Sequence, residues 1–323
     1  MKSKYLLVTS ILLLVVVFGI SFGGVNIPIS HVFKELFLFN HTESHYIIIN
    51  YRLPRVLIGL LAGFGLSISG ALFQGVIKNP LISPDVIGIT KGSGVGAVIV
   101  LLMFPNAQWL LPIGAFTGAI VVSILLYFLT RKEDFSPKNI VLIGMALGII
   151  CGAFINYMIT RYSFDINSVL VWLTGSLWGS NYLKVTILAI SIAIILPLVL
   201  INYRSLNNLI LGEEIAISIG ENLIGSRIKL MLLGILLCSI SVSYVGSLGF
   251  VGLIAPHIAK KIVGWNSKYN LMMSALIGAI LISIGDLIGR ILMPPIEIPV
   301  GIFTAIFGVP YLLYLLSKNE RRK

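Results

Sequence analysis

Few side chains of this sequence could do chemistry, and their spacing limits what that chemistry could be. Asp286 is the one carboxylate placed deep in an apolar run, where an ionised group is expensive. It could relay protons or bond a neighbouring helix. His257 follows Pro256, and no second ligand stands near it to hold haem or a metal. The other histidines, His31, His41 and His45, form no ligand pattern. Cys151 and Cys238 both sit inside apolar runs, offer neither a disulfide framework nor metal spacing, and read as core residues. Thr90-Lys91-Gly92-Ser93-Gly94-Val95-Gly96 has the glycines of a phosphate loop but not its terminal Gly-Lys-Ser/Thr, so it reads as helix packing. These residues assemble no catalytic set, no metal site and no nucleotide site.

The stretch with the clearest design is polar. In Tyr203–Ile228, Gly212 precedes Glu213 and Glu214, whose charges suit the first turn of a helix. Gly220 then ends that helix as a residue tolerant of positive φ. Ile215, Ala216 and Ile219 are expected to share one face, with the carboxylates on another. A second short segment, 221–228, is expected to lead into the next apolar run. A helix–glycine–helix of this kind is built to be gripped by a partner; the alternative is a solvated connector.

The elements that must position these residues are membrane spans. Of 323 residues, 57% are hydrophobic and 11% charged, with a mean hydropathy of +1.02. Soluble domains carry about 25% charged residues, so the expectation is an all-α integral membrane protein with a single transmembrane domain over 1–323. Ten apolar runs can be drawn: 5–20, 51–76, 86–104, 109–129, 139–159, 182–201, 229–250, a shorter 251–263, 270–292 and 299–316. Residues 23–51 read as a loop lying along the surface, and Ser168–Trp178 as a short re-entrant or surface helix. With the N-terminus inside, alternation puts 17 of the 23 Lys and Arg residues on the inner side and 6 on the outer. The positive-inside rule then makes both termini cytoplasmic, and the net charge of +11 is a topology signal with no bearing on nucleic acid.

In this order and spacing, several stretches resemble the permease subunits of type II ABC importers for iron–siderophore complexes, haem and cobalamin. They are Arg52-Leu-Pro-Arg55, Gly70-Ala-Leu-Phe-Gln-Gly75, Asn79-Pro-Leu81, Leu211–Gly220, Gly249 to His257, Asp286 to Arg290 and Glu297-Ile-Pro299. The resemblance implies ten transmembrane helices and two permease subunits, alike or different, around a central path. It also implies two ATPase subunits that use the ATP, and an extracytoplasmic binding protein. Leu211–Ile228 is similar to the coupling helices that dock on the ATPase, with Glu213, Glu214, Ile215, Ala216, Ile219 and Gly220 as the contact residues. Arg52, Arg55 and Arg290 match arginines that face glutamates of the binding protein, where charge pairs steer docking; the alternative is headgroup anchoring. Asn79 and Leu81, with Ser136 and Pro137, match the cytoplasmic gate of the path. Pro137 and Lys138 depart from the small hydroxyl residues of the cobalamin importer. ATP-driven transport needs no proton path, which favours the structural role for Asp286.

A self-sufficient secondary transporter would need intramembrane charges at the midplane and an inverted repeat with broken helices. Only Asp286 answers to that. Trp172-Leu-Thr-Gly-Ser-Leu-Trp-Gly179 is similar to siderophore permeases more than to haem or cobalamin ones. The expected function is therefore a bacterial cytoplasmic-membrane permease for an iron(III)–siderophore complex, with haem or cobalamin as alternatives. The chain itself is expected to bind no cofactor, and its remaining partner is membrane lipid.

Overall fold

The computed structural model describes residues 2–38, 43–131, 135–162 and 166–320. His41, Lys132 and the terminal Arg321, Arg322 and Lys323, counted above, lie outside them. Every regular element among the described residues is helical. In chain order these are α1 (Lys2–Ser21), α2 (Ile29–Leu38), α3 (Glu43–Tyr46), α4 (Leu53–Ile77), α5 (Ile89–Met103), α6 (Leu111–Thr130), α7 (Pro137–Arg161) and α8 (Ile166–Thr174). There follow α9 (Tyr182–Ile201), α10 (Tyr203–Leu211), α11 (Glu213–Ser218), α12 (Leu223–Val245), α13 (Val251–Val263), α14 (Ser267–Ile291) and α15 (Val300–Glu320).

Among the described residues seven helices are long and apolar enough to cross a bilayer, and α5 and α15 carry shorter apolar stretches. The eighth run, α13, has 13 residues. At about 1.5 Å per residue it falls short of a hydrocarbon core of about 30 Å. It starts beside Gly70 of α4, and the backbone before it, from Gly246 to Phe250, is buried or half-buried in protein. That is the condition under which non-helical backbone is tolerated at membrane depth.

The core is α4, α12 and α14. In the 18-residue apolar window of the continuous helix 44–77, 78% of residues are buried, against 17% for α9 at the periphery. Small residues make the core possible: a Cβ on Gly63 would stand 2.6 Å from the Ala279 backbone of α14. The α5–α6 crossing is made the same way, with Gly92 and Gly96 laid against Gly114 and Gly118 so closely that each Cβ would overlap the other helix's carbonyls. Gly92 and Gly96 belong to the stretch that resembled a phosphate loop, and packing is what they do.

Three elements differ from the sequence reading. The surface loop over 23–51 contains α2, and a wide π-helical turn, Ile47–Arg52, joins it directly to α4. That turn absorbs the missing N–H of Pro54 at the start of α4. The segment Ser168–Trp178 is the helix α8, which begins earlier and stops at Thr174, because Gly175 at φ +79° turns the chain toward α12 and α15. Residues 223–228 form no separate segment. They are the first turns of α12, capped by Asn222, whose Oδ1 accepts from Gly225 N at 2.9 Å.

Ends that lie together fix the relative topology. Lys4 Nζ donates to Ile262 O at 2.6 Å and Tyr5 Oη to Tyr269 O at 2.7 Å, so the start of α1 shares a face with the end of α13 and the start of α14. At the opposite face, the end of α1 meets the starts of α4 and the end of α14 through Arg52 and Arg290.

Candidate functional site

Two sites stand at the two faces. The first is the connector between α9 and α12. α11 ends as a Schellman turn: Gly220, at φ +82°, donates its N–H to Ile217 O at 2.9 Å, and Glu221 N donates to Ala216 O at 2.9 Å. Gly220 is thus the C′ residue that its position in the sequence required. The Glu221 carboxylate holds the corner together. It accepts from Asn208 Nδ2 of α10 at 2.6 Å and from Ser226 Oγ of α12. Those hydrogen bonds, that from Ser226 first, keep its pKa below the ordinary carboxylate value. Arg227, buried in α12, pairs with Glu213 of α11. Asn207 Oδ1 accepts from Ser267 N at 2.8 Å, tying α10 to α14. The connector is one braced body.

Its outward face is apolar. Ile215, Ile217 and Ile219 are 49%, 61% and 56% exposed, and Leu211 is exposed beside them. Here the sequence reading needs two corrections. Ala216 is fully buried, so it does not belong to an outer stripe. Glu213 is committed to Arg227, which leaves Glu214 as the outward carboxylate of the first turn. Ile217 and Leu211 were missed because α11 is under two turns long, and in so short a helix only the side against α10 and α12 is covered.

The second site is the charge cluster at the other face. Arg55 Nε lies 2.8 Å from Asp286 Oδ1, and its Nη1 lies 2.6 Å from Glu297 Oε2. Arg290 Nε lies 3.1 Å from Asp286 Oδ2, one turn away on α14, and Arg290 Nη2 donates to Gly19 O at 2.8 Å. Arg52 Nη1 donates to Ile20 O and Ser21 O, each at 2.7 Å, and its Nη2 donates to Val25 O. A Cβ on Gly23 would fall 3.2 Å from Arg52 Nη2 and 3.6 Å from Arg290 Nη1. The cluster fastens the C-terminus of α1 to α4 and α14.

The three arginines expected to face a binding protein are thus engaged within the chain. Arg52 and Arg290 are buried at 6% and 5% exposure, and Arg55 is engaged by two carboxylates. Guanidiniums at helix ends turn inward because the last carbonyls of α1 have no helical partner of their own. Asp286 holds a structural bond between helices, as favoured over a relay.

Of the residues that the resemblance matches to a gate, Asn79 and Leu81 form one turn, in which Asn79 Oδ1 accepts from Leu81 N at 2.9 Å. Lys78 before it ends α4 in the left-handed region. Ser136 and Pro137 are the N-cap and first residue of α7, and Phe135, buried at φ +52°, packs on Tyr127. Asn79, Leu81 and Ser136 lie in the connections next to helix ends, and Pro137 opens α7. His257 Nδ1 has no hydrogen-bond partner, and its ring meets Tyr311 edge to face at 5.7 Å. Cys151 and Cys238 are buried thiols. Among the described residues no three His, Cys, Asp or Glu side chains gather as a metal site.

A sequence model of the FecCD transport family matches residues 11–318. The chain is similar to the Fe(3+)-citrate import system permease protein YfmE of Bacillus subtilis, at 46% identity over 98% of this chain and 96% of that one. It is similar to the Fe(3+) dicitrate transport system permease protein FecD of Escherichia coli, at 37% identity over 85% of this chain and 86% of that one. Among solved structures it superposes on a metal-chelate type ABC transporter in an inward-facing conformation. That match has a TM-score of 0.83 and 28% identity, and covers 98% of this chain and 99% of the other.

Proposed function

The chain belongs to the FecCD transport family, a transporter subunit and not an enzyme, and from that premise we propose that it carries an iron(III)–siderophore complex, with iron(III)-citrate the leading candidate, across the bacterial cytoplasmic membrane. The observation that carries the importer reading is the braced connector α10–α11. It presents Ile215, Ile217, Ile219 and Glu214 outward, while Glu221, Arg227 and Asn207 lock its inner side to α12 and α14. A body so braced transmits a push as rigid motion. Two ATPase subunits bind and hydrolyse the ATP and grip this face; the chain binds no cofactor.

The excess of Lys and Arg at the connector side supports a cytoplasmic position for both termini. The charge cluster then faces outward. With three arginines against two carboxylates it keeps a net positive charge, which draws an acidic lobe of an extracytoplasmic binding protein. Arg52, Arg55 and Arg290 act there through the shape and field of the cluster more than as free hands. Asn79, Leu81, Ser136 and Pro137 narrow the cytoplasmic end of a path shared with a second permease subunit. Iron arrives already ligated by its chelator, so the chain needs no iron ligands of its own.

The experiment is uptake of radiolabelled iron(III)-citrate by cells lacking this gene, with radiolabelled haem alongside. Loss of citrate uptake, restored by the wild-type gene but not by Ile215→Asp/Ile217→Asp, supports the reading. Unimpaired iron(III)-citrate uptake with loss of haem uptake would overturn the substrate.

A further inference from the structure

A cavity of about 280 Å³ opens between the end of α4, α10 and the turn from α13 into α14. The functional sites described above do not use it. Lys78 and Lys260 line it, and no acidic residue does. Ser267 and Asn270, in the first turn of the 25-residue helix α14, also line it, so the positive end of that helix faces the same space. Ser267 is 2% exposed and its Oγ has no hydrogen-bond partner. A buried hydroxyl without a partner is costly, and it is satisfied when a ligand supplies one. Asn270 Oδ1 accepts from Ser274 Oγ at 3.1 Å, which leaves the Asn270 amide group as a donor. Trp265, 68% exposed, stands at the rim with Lys260 Nζ 2.9 Å from its ring centroid, and Leu206 and Ile210 form an apolar wall.

We propose that this cavity binds a phosphate group, taken from the headgroup of an anionic phospholipid or from a soluble phosphate. Two ammonium groups and two side-chain donors are set for an anionic oxygen cluster; the first N–H groups of α14 are taken by Asn207 and Asn266, so that helix end contributes only its field. The exposed tryptophan and the aliphatic wall suit the glycerol and first methylenes of a lipid. Bound there, a headgroup would tie α10, and with it the connector, to α4 and α14.

The test uses the purified full chain in detergent, with retention of added ligand read by native mass spectrometry. The probes are phosphatidylglycerol, phosphatidylcholine and inorganic phosphate. Wild type is expected to retain phosphatidylglycerol over phosphatidylcholine. Lys78→Gln/Lys260→Gln should lose that preference by about tenfold or more, since each lysine near an anionic headgroup contributes comparably. Lys260→Arg should keep it, and Lys229→Gln, a charge removed outside the cavity, should leave it unchanged. Retention of inorganic phosphate alone, lost in the double variant, supports the site with a soluble source. Phosphatidylglycerol retention equal in wild type and the folded double variant overturns the proposal.

Discussion

At the residue scale the energetic centre is Asp286, which faces two guanidiniums in a nearly closed environment. A buried charge that loses its partner costs more than the pair contributed, because the remaining ion is left desolvated. Asp286→Asn should therefore destabilise the protein by roughly 3–5 kcal/mol, read as a lower thermal midpoint in detergent. Asp286→Asn/Arg290→Met should recover part of the loss, and a single variant as stable as wild type would refute the bracing role. The depth of Asp286 and its i,i+4 spacing to Arg290 were legible in the sequence, but its other partner was not: Arg55 lies 231 positions away, and no periodicity links them. Nor could the sequence say that Arg52 would turn onto carbonyls of α1, since orphaned carbonyls at a helix end carry no side-chain signature. Glu221 supports a pH prediction. Its folded-state pKa is lowered from 4.5, so its contribution is present above that value and is lost as pH falls through the lower folded one. Amide protection across 203–228, taken as exchange relative to the intrinsic rate at each pH, should be high at neutral pH and fall as the pH drops below 4.5 through the lower folded-state value. Ser226→Ala should move that onset upward, because the Ser226 hydrogen bond is the largest cause of the shift.

At the scale of elements, the connector shows what local rules reach. Gly212, the acidic first turn and the Gly220 stop specify α11, and the structure has all three. The direction of α11 against its neighbours is set by Glu221, Arg227 and Asn208, which come from other elements, so the outward face could not be read from α11 alone. A Cβ at Gly220 would meet no heavy atom within 4 Å, so a substitution there is strained only through its positive φ. Gly220→Val should cost about 1–2 kcal/mol locally and tilt α11 without disturbing the spans. In the reconstituted complex, ATP hydrolysis should lose its response to loaded binding protein, while binding-protein docking persists. Cys151→Ala, a change within α7, is the control. Normal coupling in Gly220→Val would remove the connector from the mechanism.

At the scale of the whole molecule, the ten apolar runs were legible because burial in lipid needs only composition and length. Which faces meet another protein was not, since a lipid-facing stripe and a permease-facing stripe are both aliphatic. α7 offers a way to tell them apart. It exposes Ile149, Ile150, Phe154 and Tyr157, with the polar Asn156 among them, a residue costly to turn toward hydrocarbon. Gly152 stands in the same helix, and a Cβ there would find no heavy atom of this chain within 4 Å. Gly152→Leu is thus free of clash within the chain, and by helix propensity it should stabilise α7 by about 1 kcal/mol. If lipid covers the face, assembly and transport should be unchanged. If a second permease subunit packs there, as the importer reading requires, the added side chain should overpack that contact. The expected outcome is a chain that inserts and unfolds normally but elutes at half the membrane-domain mass in light scattering, with iron(III)-citrate uptake lost. Ile190→Trp on α9, an exposed residue of the most peripheral span, should leave both assembly and uptake intact. The reverse result, with the α9 variant dissociating and the α7 variant assembling, would move the partner to the other side of the molecule.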